Sequence, residues 1–115
     1  MAEIDFSCEE IPVEKVLQCS LGLRAKELAI LQGLEGEKSA ERVAQEFGVS
    51  KNYAQRILKN LSDKGLVERR AYNLASGGYI YEYQRKERDE IIDDVLSTLE
   101  GWYNRAKETI RQDGL

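Results

Sequence analysis

The chain is 115 residues long, so one domain, or one domain with an appended helix, is the expected scale. It is acidic, at −4, with 33% charged and 42% apolar residues, which suffices for a modest core; no apolar run nears the ~20 residues that cross a bilayer, so no membrane partner is expected. It contains no histidine, and its two cysteines, Cys8 and Cys19, lack a metal spacing; imidazole-based catalysis, a metal site and any other cofactor are therefore not expected.

Residues 1–10 read as a flexible acidic tail, without the basic and apolar regions of a signal peptide, so a cytoplasmic protein with reduced thiols is expected. Pro12 suits the first turn of a helix. Val13, Val16, Leu17 and Leu21 follow on one face of that helix, and Gly22 ends it. A second helix is expected from about Arg24 to Glu35, with Leu28, Leu31 and Leu34 inward. Ser39 is placed to cap a third, short helix, AERVAQEF, which Gly48 breaks. Ser50 caps a fourth, from Lys51 to about Lys64, with Gly65 as its stop.

After Gly65 the period changes from helical to two. Residues 66–72 alternate weakly and 79–84 clearly, with Tyr79, Tyr81 and Tyr83 on one face. Joined by NLASGG, they predict a β-hairpin. From about Lys86 a long helix is expected to run to near Gln112. Its adjacent carboxylates, Asp93 and Asp94, project about 100° apart, so they read as a solvated face rather than an acid/base pair. No phosphate-binding loop or nucleophile motif occurs, and no enzyme is expected.

The predicted fold is mainly α with a small β-hairpin. Its centre is Ala40 to Lys59, which has the parts of a helix-turn-helix. Ala44 allows the second helix to cross closely, Gly48 tolerates positive φ in the turn, and Val43, Phe47, Val49, Ala54, Ile57 and Leu58 lock the pair. Phased at about 100° per residue, Ala54, Ile57, Leu58 and Leu61 lie on one side, and Asn52, Arg56, Lys59 and Asp63 on the other, with Gln55 at the edge. Those outward groups are the amide, guanidinium and ammonium that read base edges or hold phosphates. Ser50, Lys51 and the N–H groups at the helix start suit a phosphate, and Tyr53 is expected to pack beside the buried side. From Lys51 to Arg70 there are six basic residues against two acidic, a net of +4 that leaves −8 for the rest of the chain. Such a local reversal of sign is the footprint of a polyanion partner.

A helix-turn-helix followed by GLVERR and a hairpin is a winged helix-turn-helix. On an alternating strand Arg69 and Arg70 face opposite ways, so one of them is expected to reach DNA. At the wing tip, Ser76-Gly77-Gly78 either touches phosphates through Ser76 and backbone N–H groups or is a purely structural turn. The run KSAERVAQEFGVSKNYAQRILKNLSDKGLVERR with the strand GGYIYEY resembles archaeal winged-helix transcriptional regulators of the TrmB-like and MarR-like kind, over roughly Leu21 to Tyr83. The resemblance implies that Lys51, Asn52, Gln55, Arg56 and Lys59 face double-stranded DNA and that the hairpin is the wing. Larger TrmB-like proteins carry a C-terminal sugar-sensing domain, whereas here a helix follows the wing. The wing tip also lacks the basic residue that many relatives insert into the minor groove.

The terminal helix carries Ile92, Val95, Leu96, Leu99, Trp102, Tyr103, Ala106 and Ile110 in a stripe about 120° wide. Ile92, Val95, Leu99, Trp102 and Ala106 step 3-4-3-4, the spacing of a short dimer seam that the N-terminal helix would help to form, and Gly101 suits a close helix approach there; the alternative is that the helix folds back on the first two helices. The expected organisation is a DNA-binding domain over 1–85 and a dimerisation helix over 86–115, acting as a homodimer. The rival is a winged helix used for protein–protein interaction in a transcription, replication or chromatin complex. The residues name no small-molecule effector, no operator, and neither repression nor activation.

Overall fold

The computed structural model of the chain describes residues 3–115. In chain order the elements are β1 (Glu3–Asp5), β2 (Glu10–Pro12), α1 (Val13–Leu21), α2 (Ala25–Gly33), β3 (Lys38–Ser39), α3 (Ala40–Phe47), α4 (Lys51–Asp63), β4 (Val67–Asn73), β5 (Tyr79–Arg85), α5 (Arg88–Thr109) and a final π-helical turn, Ile110–Gly114. They divide into a terminal unit, built from the residues up to Arg24 with Arg88–Leu115, and a second unit, Ala25–Glu87.

In the second unit the helix starts are set by side-chain caps. Ser39 Oγ accepts the Arg42 N–H at 3.2 Å to open α3, and Ser50 Oγ accepts the Tyr53 N–H at 3.1 Å to open α4. Between them Gly48 takes φ 65°, and the Val49 N–H returns to the Ala44 carbonyl at 3.1 Å. A side chain at Gly48 would strain that left-handed turn. Val43, Ala44, Ala54, Ile57, Leu58 and Leu61 are buried where α3 and α4 cross, and Leu28, Ile30, Leu31 and Leu34 close the core from α2. Glu27 is buried among them, and the Asn60 side-chain amide donates to its Oε2. That bond offsets the cost of taking a carboxylate out of water.

β4 and β5 form the predicted hairpin, antiparallel from Val67↔Arg85 to Asn73↔Tyr79. A third strand, β3, pairs with β5 at Lys38↔Tyr83 and Ser39↔Glu82, giving the order β3-β5-β4. Two residues are too few to show a period, so β3 carries no signature in the spacing of side chains. β3 leads directly into α3 and ties the start of the helix-turn-helix to the wing.

The terminal unit departs from the expected flexible acidic tail. Met1 and Ala2 lie outside the described residues, but Glu3–Asp5 pairs with Glu10–Pro12 in a small hairpin, with Ile4 opposite Ile11. The Phe6 N–H reaches the Glu9 carbonyl at 3.0 Å, and the Ser7 N–H reaches Asp5 Oδ1 at 2.8 Å. Cross-strand apolar pairing outweighs the surrounding carboxylates. Pro12 ends β2 in an extended conformation and stands just before α1, not in its first turn. α5 begins at Arg88 rather than Lys86, because β5 continues to Arg85 and the Lys86 N–H bonds the Leu66 carbonyl at 3.0 Å. Cys8 and Cys19 are free and exposed.

Leu58 is fully buried whereas Lys59 next to it is exposed. Leu58→Ala is expected to cost about 2–5 kcal/mol in urea unfolding. Lys59→Ala is expected to stay within about 0.5 kcal/mol of the parent.

Candidate nucleic-acid interface

α4 has thirteen residues, so it is about 20 Å long. Its outward side carries Lys51, Asn52, Gln55, Arg56 and Lys59, all exposed, opposite the buried Ala54, Ile57, Leu58 and Leu61. The Arg56 guanidinium lies 5.3 Å from the centre of the half-buried Tyr53 ring, a cation–π contact that steadies it near the start of α4. Lys51, Arg56 and Lys59 make no ion pair among the described residues. Ser50 spends its hydroxyl oxygen on the helix cap, at the same N-terminus where unpaired N–H groups favour an anion.

The wing has two unlike faces. Directly paired residues share a face, so Val67, Arg69 and Ala71 lie with Tyr83, Tyr81 and Tyr79. Val67 and Tyr83 are buried, which makes this the core side. Beyond them the Arg69 guanidinium stacks 4.2 Å over the Tyr81 ring, and Tyr81 meets Tyr79 edge-on at 5.1 Å. On the opposite face Arg70 Nη1 lies 3.7 Å from Glu37 Oε1, and the Tyr72 hydroxyl donates to Glu37 Oε2 at 2.6 Å. Arg69 has no acidic partner among the described residues; Arg70 has one. The two arginines therefore point apart, as alternation requires, and they differ in what holds them. Ser76 is exposed in the turn, where the Leu74 and Gly77 N–H groups are taken by the Gly78 and Leu74 carbonyls, each at 3.0 Å.

Acidic groups of the second unit are engaged behind this surface. Glu46 takes Lys38 Nζ at 2.5 Å and Arg42 Nε at 3.2 Å. The hydrogen bond from Lys38 holds its carboxyl below the usual range, with desolvation opposing and Arg42 assisting. Arg85 donates to the Gln32 carbonyl at 3.1 Å, closing the end of α2. The second unit has eleven basic and nine acidic residues, a net of +2; the terminal unit has six against twelve, a net of −6.

The five residues of the expected dimer seam belong to the terminal unit, and the residues expected to face DNA belong to the second. Val95 is buried, Ile92 and Ala106 are half-buried, and Leu99 and Trp102 are 37% and 55% exposed. α1 packs along α5 yet buries no residue fully, and Leu99 and Trp102 line a groove of about 390 Å³ with Phe6, Ile11 and Val16. Among the described residues no helix is long and apolar enough to cross a membrane.

The family model for the sugar-specific transcriptional regulator TrmB matches residues 17–87, more than half of the chain. The chain belongs to the TrmB family of transcriptional regulators. It is similar over most of its length to a solved structure, a possible transcriptional regulator from Methanosarcina mazei Go1, at 25% identity and TM-score 0.89 over 97% of each chain. A MarR-family regulator from Enterococcus faecalis V583 shares the fold at 19% identity, TM-score 0.54 and 94% of each chain. The uncharacterised protein MJ1082 of Methanocaldococcus jannaschii is 28% identical over 102 residues, 87% of this chain and 84% of its own. The TrmB family and these fold neighbours are regulators and not enzymes.

Tyr72, Tyr79, Tyr81 and Glu37 were not singled out as site residues from the sequence. The tyrosine alternation was visible there, but which arginine each face carries depends on strand register. Tyr72 has its phenol pushed above the ordinary value, first by the hydrogen bond to Glu37 and then by desolvation, with Arg70 opposing. A raised phenol stabilises the fold fully below pH 10 and loses that contribution as pH climbs through the raised value. Glu37→Gln is expected to bring the Tyr72 titration back toward 10 and to remove that alkaline loss, followed by tyrosine ring NMR shifts and unfolding midpoints from pH 8 upward.

Proposed function

We propose that the chain is a sequence-specific DNA-binding transcriptional regulator acting as a homodimer, with α4 in the major groove and the wing on the adjacent backbone. One observation carries this reading. α4 buries one side and presents Lys51, Asn52, Gln55, Arg56 and Lys59 on the other, and Lys51, Arg56 and Lys59 have no acidic partner among the described residues. A major groove about 12 Å wide admits a helix of this kind. Asn52 and Gln55 suit adenine edges, Arg56 and Lys59 suit guanine edges or phosphates, and Ser50 with Lys51 suits a phosphate at the helix start. Of the two wing arginines Arg69 is the one we assign to the DNA backbone; Arg70 would first have to leave Glu37. Ser76 supplies a further hydroxyl at the tip.

The dimer rests on the terminal unit. Leu96, Leu99, Trp102 and Tyr103 are large, apolar and exposed on α5, and Ile110 is exposed in the turn that follows it. Among the described residues only the tip of Arg105 approaches the place of a Gly101 side chain, at 3.4 Å. A close helix approach at Gly101 therefore calls for a second copy. A two-fold dimer would bind an inverted repeat with half-sites about one helical turn apart.

Arg56→Ala and Lys59→Ala are each expected to weaken duplex binding with the fold intact. A lost base contact should cost about 1–3 kcal/mol, and a lost phosphate contact should lower the salt slope by about one unit, read by fluorescence anisotropy across a salt series. Unchanged affinity in both variants at low salt would favour the protein-interaction module instead. Leu99→Glu with Trp102→Glu is expected to give monomers with helical circular dichroism that bind a half-site weakly and lose preference for the palindrome. A folded dimer in sedimentation would remove α5 as the principal interface.

A further inference from the structure

The groove of the terminal unit, about 390 Å³, falls within the roughly 300–1,000 Å³ of small-molecule sites. Phe6 and Ile11 of the first hairpin, Val16 of α1, and Leu99 and Trp102 of α5 make its apolar walls. Its charged lining is one-sided. Lys15 and Arg105 both reach it, both are exposed, and neither has an acidic partner among the described residues. No carboxylate stands among the described residues of the lining, although the unit around it has twelve acids against six bases. On α5 the lining runs from Thr98 to Arg105, about 10 Å of helix. Phe6 and Trp102 are 52% and 55% exposed, so the groove is a trough open along its length. An extended chain can lie in such a trough and cover its walls; a compact ligand covers only a part of them.

We propose that this groove binds a single-chain amphiphile with an anionic head, its apolar chain on Phe6, Leu99 and Trp102 and its carboxylate or phosphate held by Lys15 and Arg105. The chain takes the walls out of water. The head supplies the two cations with the partner that the protein withholds, through charge-assisted hydrogen bonds. A neutral amphiphile lacks those bonds, and a cationic one is repelled. Ligand and dimer then compete for the same side chains. Leu99 and Trp102 are groove walls and also lie in the dimer seam, and one side chain cannot face both a ligand and a partner helix. This competition rests on the homodimer reading above. A ligand that binds the open groove and not the closed seam draws the chain toward monomers by mass action. It thereby weakens binding to an inverted repeat without any change at α4.

Trp102 is the only tryptophan of the chain, so its emission reports on the groove directly. The intact chain is titrated with decanoate, decyl phosphate, decanol and decylammonium, each below its micelle threshold. The two anions are expected to change Trp102 emission saturably and to bind about tenfold more tightly than decanol, with decylammonium weaker still. The tighter of the two anions identifies the head. Equal binding of decanol, or emission that no probe moves, overturns the proposal. Lys15→Gln with Arg105→Gln, both exposed and so compatible with folding, is expected to abolish the preference for an anion; a preference kept by that variant overturns the assignment of the head. Phe6→Ala, outside the seam, is expected to weaken decanoate binding severalfold and to leave the sedimentation of the ligand-free protein unchanged. Saturating decanoate is expected to turn wild-type dimers into monomers in sedimentation, and dimers that keep the ligand bound overturn the competition. A wild type that is monomeric without ligand overturns the homodimer reading instead, while Trp102 emission still decides the groove.

Discussion

The apolar side of α4 is the constraint on which the recognition surface depends. Ala54, Ile57, Leu58 and Leu61 must leave water, and α3, β4 and α2 all pack against α4 in the second unit. A helix is rigid, so burying one side aims the other. No outward residue of α4 has to be positioned separately, provided that α3 and α4 cross closely and their turn is short. Ala44 at the crossing and Gly48 in the turn meet those two conditions. The serine caps then set where each helix begins, which fixes the rotation of the outward face about the helix axis.

An acidic protein can present a positive surface when its acids are spent internally. Glu46 is held by Lys38 and Arg42, Glu37 by Arg70 and Tyr72, and Glu27 receives Asn60. Each arrangement also does structural work, joining β3 to α3, the wing to the loop before β3, and α4 to α2. The cations of α4 and Arg69 are left without such partners. At physiological ionic strength fields between exposed charges fade over about 8 Å, so a local patch matters more to a bound polyanion than the sum over the chain. The −6 of the terminal unit acts instead as a long-range brake on association, felt most at low salt.

The terminal unit shows a different economy. It buries Leu23 and Val95 but leaves four large apolar side chains of α5 in the open, and α1 buries none of its own residues fully. Two helices and a short hairpin with so little interior are poorly stabilised by hydrophobic burial alone. That deficit gives the uncovered stripe of α5 its meaning: the helix presents more apolar surface than its neighbours in the unit can cover.

Local chemistry was legible in the chain itself. Ser39 and Ser50 as caps, Gly48 as the turn, the inward and outward sides of α4, the hairpin and the long helix all follow from spacing, because each depends on residues within a few positions of one another. The opposite facing of Arg69 and Arg70 followed in the same way. Tertiary structure decided what has no local period. β3 exists only because Lys38 meets Tyr83, the first hairpin because Ile4 meets Ile11, and the start of α5 because Lys86 is held by Leu66. It also decided which wing arginine is held by an acid, since Glu37 lies 33 positions before Arg70 and nothing in the intervening chain marks the pair. Helical phase and capping are short-range and write themselves into sequence; strand pairing and ion pairing join distant residues, and their partners are chosen only when the core has brought the segments together.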